Sequence, residues 1–193
     1  MHRQKITFTL LAIILAVSGL ALASVLIPSK SPEFTISVPS GKTTLLSSFK
    51  GKVVVMEFFF IKSEHCLRVA QMLNELNDEL SPRGFQAVGV VFDPPSPRPV
   101  DTNVTGQMVS YVVDSFKLRY PVGYATKWDV DAYLGRTGNE VLNIPQVVVI
   151  DRTGTIRAAS GGRGGDPKLE DKEFLRALIN GLLQEGTSGG NKK

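Results

Sequence analysis

The sequence predicts an α/β fold with a central mixed β-sheet flanked by helices, and three patterns carry that prediction. An apolar run over residues 53–60, rich in β-branched and aromatic side chains, is typical of a strand buried on both faces. After Ser63, apolar side chains recur three and four residues apart, which predicts a helix ending near residues 81–84. A second apolar run, residues 85–92, completes a β-α-β unit whose two strands are parallel and end at one edge of the sheet.

A small N-terminal hairpin precedes this unit and further elements follow it. Residues 34–38 alternate like a strand, and residues 39–42 have turn chemistry before a second short strand. The later patterns predict a helix near residues 108–116, a strand at 120–124, a short helix at 128–134, an antiparallel hairpin over 146–160 and a last helix opening at Asp166. We interpret Trp128 as a core residue, with ligand stacking as the alternative.

The chain of 193 residues is long enough for one domain with a hydrophobic core. We expect this domain to span residues 32–185 and to be followed by a flexible polar tail, residues 186–193. Glycine-rich residues 161–165 lack the features of a phosphate loop and are interpreted as a flexible connector. Proline-rich residues 93–105 are predicted to run extended, either as a stiff surface loop or as one lip of a binding groove.

An apolar segment without charged side chains, residues 6–27, follows Arg3 and Lys5. Its length and flanks fit a signal peptide or a membrane-spanning helix. We expect residues 1–28 to export the domain, either cleaved after Ala23 or kept as an anchor with positive residues inside, and the length of the run favours the anchor. The domain is therefore predicted to be extracytoplasmic: membrane-anchored, periplasmic or secreted.

Composition excludes several kinds of site. The formal net charge of +4 includes Arg3 and Lys5, and the remainder gives no reason to expect a nucleic-acid partner. A single cysteine rules out an intramolecular disulfide, and two histidines, His2 and His65, leave no conventional zinc site. We therefore expect no metal and no cofactor.

Two stretches resemble a known group of proteins. The residues GKVVVMEFF leading into SEHC, and IPQVVVIDRTG, are similar to the thioredoxin-like redox proteins of the exported, often membrane-anchored TlpA/ResA type, within the wider redoxin (AhpC/TSA) superfamily. The resemblance covers roughly residues 32–185, by element order more than by identity. It implies a thioredoxin-like fold and a protein or peptide partner that carries a thiol or a disulfide.

In that family the turn carries Cys-x-x-Cys, where the first thiolate attacks a disulfide and the second resolves the mixed disulfide. The matching positions are Ser63 and Cys66, so the resemblance implies that the attacking thiol is missing and the resolving one retained. A proline before the next strand, usually cis in the family, corresponds to Pro145. With Ile144 it would leave a backbone edge open to an extended partner.

Peroxiredoxins of the same superfamily offer another interpretation, because they place Thr/Ser-x-x-Cys at this turn. Phe59 stands where they have a proline, and Pro145 stands where they have a peroxide-polarising arginine. Without that cation, the charge that develops on the peroxide loses its main stabiliser.

The reactivity of Cys66 stays open from sequence alone. Ser63 is the predicted N-cap, with Cys66 third in the helix, and a helix N-terminus favours a thiolate. His65 adds positive charge when protonated and Glu64 opposes it, while an apolar stripe around Cys66 favours a buried, inert thiol.

The sequence thus supports three hypotheses: a redoxin-type thiol-disulfide protein with a degenerate site, a non-catalytic module that binds peptides or an assembly partner, and a one-cysteine peroxidase. The candidate residues for chemistry are Cys66, Ser63 and His65. Those for substrate binding are Ile144, Pro145 and Phe59.

Overall fold

One eight-stranded sheet organises the part of the chain that the structure, a computed structural model, describes: residues 27–92, 106–137, 141–161 and 165–185. The strands are β1 (Ser29–Lys30), β2 (Thr35–Ser37), β3 (Thr43–Leu45), β4 (Val53–Phe59), β5 (Phe85–Val91), β6 (Val122–Tyr124), β7 (Gln146–Ile150) and β8 (Thr155–Ala159). The helices are α1 (Glu64–Leu80), α2 (Gly106–Phe116), α3 (Lys127–Tyr133) and α4 (Lys172–Glu185). Short 3-10 turns cover Leu46–Phe49, Ser81–Arg83 and Pro167–Glu170.

The strands lie in the order β1-β8-β7-β4-β5-β6-β2-β3. β4 pairs in parallel with β5, and β5 with β6, whereas β7 runs antiparallel to both β4 and β8. β2 and β3 form the N-terminal antiparallel hairpin. The predicted mixed sheet flanked by helices, with its small hairpin, is confirmed.

β4 is the central strand, and all its residues are buried. Successive side chains of a strand point to opposite faces. Val53, Val55 and Phe59 therefore pack in one cluster with apolar residues of α1, α2 and α4. Val54 and Phe58 pack in the other cluster with residues of α3 and the N-terminal hairpin. Glu57 is two residues from both Val55 and Phe59, so its side chain points to the same face of the sheet, which α1 covers.

The register separates two edges of the sheet. Gln146 pairs with Phe58, so the Ile144–Pro145 segment lies at the edge where β4 ends and the turn to α1 begins. At the opposite edge Val53 pairs with Phe85, and Val54 with Ile150. The loops before β4 and β5 and the turn between β7 and β8 are therefore neighbours there.

Two expectations about helices are wrong. Trp128 is 81% exposed rather than core, because α3 buries Val130 and Tyr133, and Trp128 lies on the other side of that short helix. Asp166 caps only a 3-10 turn, and the last helix begins at Lys172. The Asp171 carboxylate accepts the Phe174 N–H at 2.8 Å and so starts that helix afresh.

Because Trp128 buries so little surface, its replacement should hardly change stability. Trp128→Ala is expected to change the free energy of unfolding by no more than about 0.5 kcal/mol in urea titrations followed by circular dichroism. Tyr133→Ala is the matched control, since Tyr133 is buried against Phe34 and Phe58, and should cost about 3 kcal/mol or more. Equal losses would contradict the exposed position of Trp128.

Several expectations concern residues outside the described ranges. These are the leader up to residue 26, the proline-rich stretch 93–105, residues 162–164 of the glycine-rich connector, and the tail 186–193. Within the described ranges, no helix has both the length and the apolar character required to cross a membrane.

Candidate functional site

The turn between β4 and α1 forms as the sequence predicts. Ser63 is the N-cap residue of α1 with extended backbone angles, and Cys66 is the third residue of the helix. The Cys66 backbone N–H donates to Ser63 Oγ at 3.3 Å, which satisfies one amide that the helix start leaves without an intrahelical acceptor. Ser63 therefore has a structural role at the position where the family resemblance expects a thiol.

Cys66 itself is fully buried, with 0% of its surface exposed. It packs in the same cluster as Val69, Ala70 and Val147. Burial raises the pKa of the Cys66 thiol, hydrogen bonds with the Ser63 side chain and the Phe60 backbone lower it in part, and ionisation of Glu57 would raise it further. At neutral pH the side chain is therefore a protonated thiol that a reagent cannot reach without local opening.

Glu57 is the site residue that the sequence interpretation missed. It lies in the middle of β4 with 0% exposure, and neither of its carboxylate oxygens has a hydrogen-bond partner in the described part of the chain. Burial raises the pKa of Glu57 well above its ordinary value, and the charge of Glu170 adds to that rise. The carboxyl group is therefore kept neutral inside the protein.

A signal for Glu57 was present in the sequence. It is the only acidic residue in the apolar run 53–60 and stands two residues from Val55 and Phe59, which face the core. A lone carboxyl in a strand buried on both faces is expensive unless it is neutral or paired. Weighing that cost would have marked Glu57 as a candidate.

The polar groups near Glu57 are engaged elsewhere. The Tyr120 hydroxyl donates to the backbone carbonyl of Ala70 at 3.1 Å. Burial raises the pKa of Tyr120 well above its usual value, and ionisation of Glu57 would add to that rise. Glu170 Oε2 lies 2.6 Å from His65 Nε2. Glu57 is thus left without a polar partner among the described residues, which favours its neutral form.

His65 does not join Cys66 in a catalytic pair. Its side chain is 51% exposed and contacts Glu170 at the start of the C-terminal region. That partner is a carboxylate, so the histidine links α1 to the 3-10 turn Pro167–Glu170 on the surface. An exposed pair of this kind contributes at most about 1 kcal/mol.

The three candidate binding residues differ in accessibility. Ile144 is half-buried and packs against both core clusters, Pro145 is buried, and the peptide bond between them is cis. Phe59, the last residue of β4, has 0% exposure and lies inside the core. Ile144 is therefore the member of this set that offers surface to a partner.

The arrangement limits the chemistry that the site can perform. Dithiol exchange needs a second thiol, and the Ser63 hydroxyl cannot form a disulfide. Pro145 occupies the position where the peroxidase hypothesis requires a cation. No group of three or more His, Cys, Asp or Glu side chains that could hold a metal occurs in the described ranges. What remains is one buried thiol beside one buried neutral carboxyl.

Comparison with known proteins places the chain in a family. A sequence profile of the AhpC/TSA family matches residues 27–159. The thiol-disulfide oxidoreductase ResA of Bacillus thuringiensis subsp. konkukian (strain 97-27) is 23% identical over 152 residues, which cover 79% of this chain and 78% of that protein. ResA of Bacillus cereus (strain ATCC 10987 / NRS 248) matches to the same extent.

Solved structures agree with this result. A crystal structure assigned as the thiol:disulfide interchange protein DsbE from Chlorobium tepidum superposes with a TM-score of 0.63 at 22% identity, over 81% of this chain and 96% of that one. A solution structure assigned as a protein disulfide isomerase from Bacteroides thetaiotaomicron has a TM-score of 0.62 at 25% identity, over 84% and 92% of the two chains. The fold is thus thioredoxin-like, and the resemblance to TlpA/ResA-type redoxins is confirmed. With its profile match across most of the domain, this chain belongs to the AhpC/TSA family.

Proposed function

We propose that the chain is an exported redoxin protein related to thiol-disulfide oxidoreductases, with a degenerate site that retains one slow thiol. The observation that carries the proposal is the position of Cys66: it is the only cysteine, and it lies in the first turn of α1 behind a serine N-cap. Similarity to proteins named as thiol-disulfide oxidoreductases supports thiol chemistry at this turn. The apolar segment 6–27 supports export and membrane anchoring.

One covalent step is open to such a site. After local opening, the Cys66 thiol loses its proton, and the thiolate attacks one sulfur of a partner's disulfide. A new mixed disulfide forms, the partner's S–S bond breaks, and the released partner thiolate takes up a proton. Cys66 is oxidised and the partner sulfur that leaves is reduced. Because the chain has no second thiol, only a thiol from another molecule can resolve the product.

Burial favours a second candidate, a non-catalytic module that binds a peptide or assembly partner. A thiol with no exposed surface and a raised pKa reacts slowly, so selection for rapid exchange would not explain this environment. The half-buried Ile144 beside the cis Pro145 supports a contact surface at the same edge. The two candidates differ in whether Cys66 ever forms a covalent bond.

Alkylation kinetics of the folded full-length chain test the state of Cys66. We expect iodoacetamide to modify Cys66 at pH 7.5 at least about tenfold more slowly than in the unfolded chain. Because the folded pKa is raised, the folded rate should still be climbing with pH above about 8.5, where an unperturbed thiol levels off. Intact mass against time gives both rates.

The second part of the experiment separates the candidates. Incubation with oxidised glutathione should add one glutathione per chain, and Cys66→Ser should remove the adduct. If the wild-type chain forms no adduct even after prolonged incubation, the thiol hypothesis fails and the binding module remains. Rapid alkylation at neutral pH would contradict the buried, protonated thiol. Conversion of Cys66 to sulfenic acid by hydrogen peroxide would instead favour the one-cysteine peroxidase.

A further inference from the structure

A set of basic side chains lies at the sheet edge opposite the turn that holds Cys66. They come from β1, from the loops before β4 and β5, and from the turn and strand around β8, which the strand register brings together. We call this surface the basic face; its cations are Lys30, Lys50, Lys52, Arg83, Arg152 and Arg157. The carboxylates in the same region are Glu33, Asp151 and Glu185. Cations therefore outnumber anions there.

Most of these cations donate hydrogen bonds to neutral acceptors, so no carboxylate offsets their positive charge. Lys30 Nζ donates to the Thr153 carbonyl at 2.8 Å, and Lys52 Nζ donates to Gln86 Oε1 at 3.0 Å. The Lys50 ammonium group contacts no acceptor within the ranges that the structure covers. Only Arg157 pairs with carboxylates, those of Asp151 and Glu185.

Several cations outside this set do have acidic partners. Such pairs join Arg119 to Asp78, Lys172 to Glu75, Arg176 to Glu79 and Lys127 to Asp131. Apart from Arg157, the cations of the basic face have no such carboxylate partner among the described residues.

Arg152 makes this face rigid. Its guanidinium group donates to the carbonyl of Gly51 at 2.9 Å and to the carbonyl of Arg83 at 3.0 Å, so it ties together the three loops of this edge. The preorganised loops hold a cleft of about 290 Å³. Apolar residues, Leu46, Phe49, Val54 and Ile150, line the cleft, and Lys30, Lys50 and Lys52 lie at it together with Glu33 and Asp151.

The apolar N-terminal segment ends close to this face. Ile27, its last residue, is three residues before Lys30, and a fully extended chain spans at most about 3.6 Å per residue. The end of the segment therefore lies within roughly 11 Å of Lys30. If residues 6–27 anchor the chain, as proposed above, the polar surface of the bilayer comes within reach of the basic face.

We propose that the basic face docks on a bilayer surface that contains anionic phospholipid. The cationic charge, its neutral hydrogen-bond partners and the nearby end of the apolar segment all favour an anionic lipid surface as the occupant. This inference rests on the membrane anchoring in the proposed function, but not on thiol chemistry. It orients the domain: because Cys66 lies at the opposite edge, docking directs the Cys66 turn away from the membrane towards partners in solution.

Lysine labelling of the full-length chain in lipid vesicles tests this orientation. One set of vesicles contains equal parts of phosphatidylglycerol and phosphatidylcholine, and the other contains phosphatidylcholine alone. A water-soluble acetylating reagent modifies exposed lysines, and peptide mass spectrometry gives each rate. We expect Lys30, Lys50 and Lys52 to react about fivefold more slowly on the anionic vesicles, while Lys62, exposed at the Cys66 edge, reacts equally on both. About 1 M salt should abolish the difference.

Two matched double variants complete the experiment. The Lys50→Glu and Lys52→Glu pair should remove the protection of Lys30, whereas the Lys42→Glu and Lys62→Glu pair, at the opposite edge, should leave it intact. Flotation with both kinds of vesicle but equal labelling of Lys30 would overturn docking of the basic face. If the chain fails to float with phosphatidylcholine vesicles, residues 6–27 do not anchor it, and the proposed orientation of the domain is wrong. Neither readout involves Cys66, so the thiol proposal is judged separately.

Discussion

Ser63→Cys should give the chain disulfide-reductase activity well above that of the wild type. The N-cap and the third helical residue lie on the same face of the first turn, so the introduced thiol and Cys66 come within the range that a disulfide bridges. The introduced thiol would stand at the exposed end of the helix dipole and could attack, and Cys66 could then resolve the mixed disulfide. We expect dithiothreitol-driven reduction of a protein disulfide at least about tenfold above the wild-type background.

Two further variants show whether a dithiol is the cause. Ser63→Ala loses the hydroxyl that accepts the Cys66 N–H, so it should cost about 1 kcal/mol of stability and give no activity. Adding Cys66→Ser to Ser63→Cys should stop turnover and trap a mixed disulfide with the substrate. If the Ser63→Cys chain forms its internal disulfide but still reduces nothing, the partner-binding surface has been lost together with the nucleophile.

The architecture was predictable because its signals are local and strong. The run 53–60 combines apolar character with β-branched and aromatic residues, and this combination identified β4 without reference to the rest of the chain. The position of Ser63 as N-cap followed from the same local chemistry. Trp128 was misjudged because a short helix gives too few positions to show which side is buried, and here packing of Val130 and Tyr133 decided it.

The site was less predictable because its properties depend on distant residues. The partner of His65 is Glu170, more than a hundred positions away in sequence, and no spacing rule connects them. The burial of Cys66 depends on how α1 packs against β4 and β7, so the sequence left reactive and inert thiols equally open. The basic face is assembled from loops far apart in the chain, which only the strand register brings together.

Glu57→Gln should stabilise the folded chain increasingly as the pH rises. The folded pKa of Glu57 is raised by burial, whereas in the unfolded chain the group titrates near its ordinary value of about 4.3. Between these two values the folded state binds one proton more than the unfolded state, so wild-type stability falls with increasing pH. The slope that this group contributes is up to about 1.4 kcal/mol per pH unit. Glutamine cannot ionise, so the variant lacks that slope.

Urea titrations of both chains between pH 5 and 8 measure the effect as a difference of two curves. Groups that titrate in the same way in both chains cancel in that difference. The lowered pKa values of Glu33, Asp78 and Asp151 act on the acidic side, where stability is lost as the pH falls, and so they lie outside this window.

Glu75→Gln, an exposed control, should give a flat difference. A flat difference for Glu57→Gln as well would mean that Glu57 is ionised in the folded protein and has a partner. In that case the site would hold a buried carboxylate beside Cys66 instead of a neutral carboxyl group.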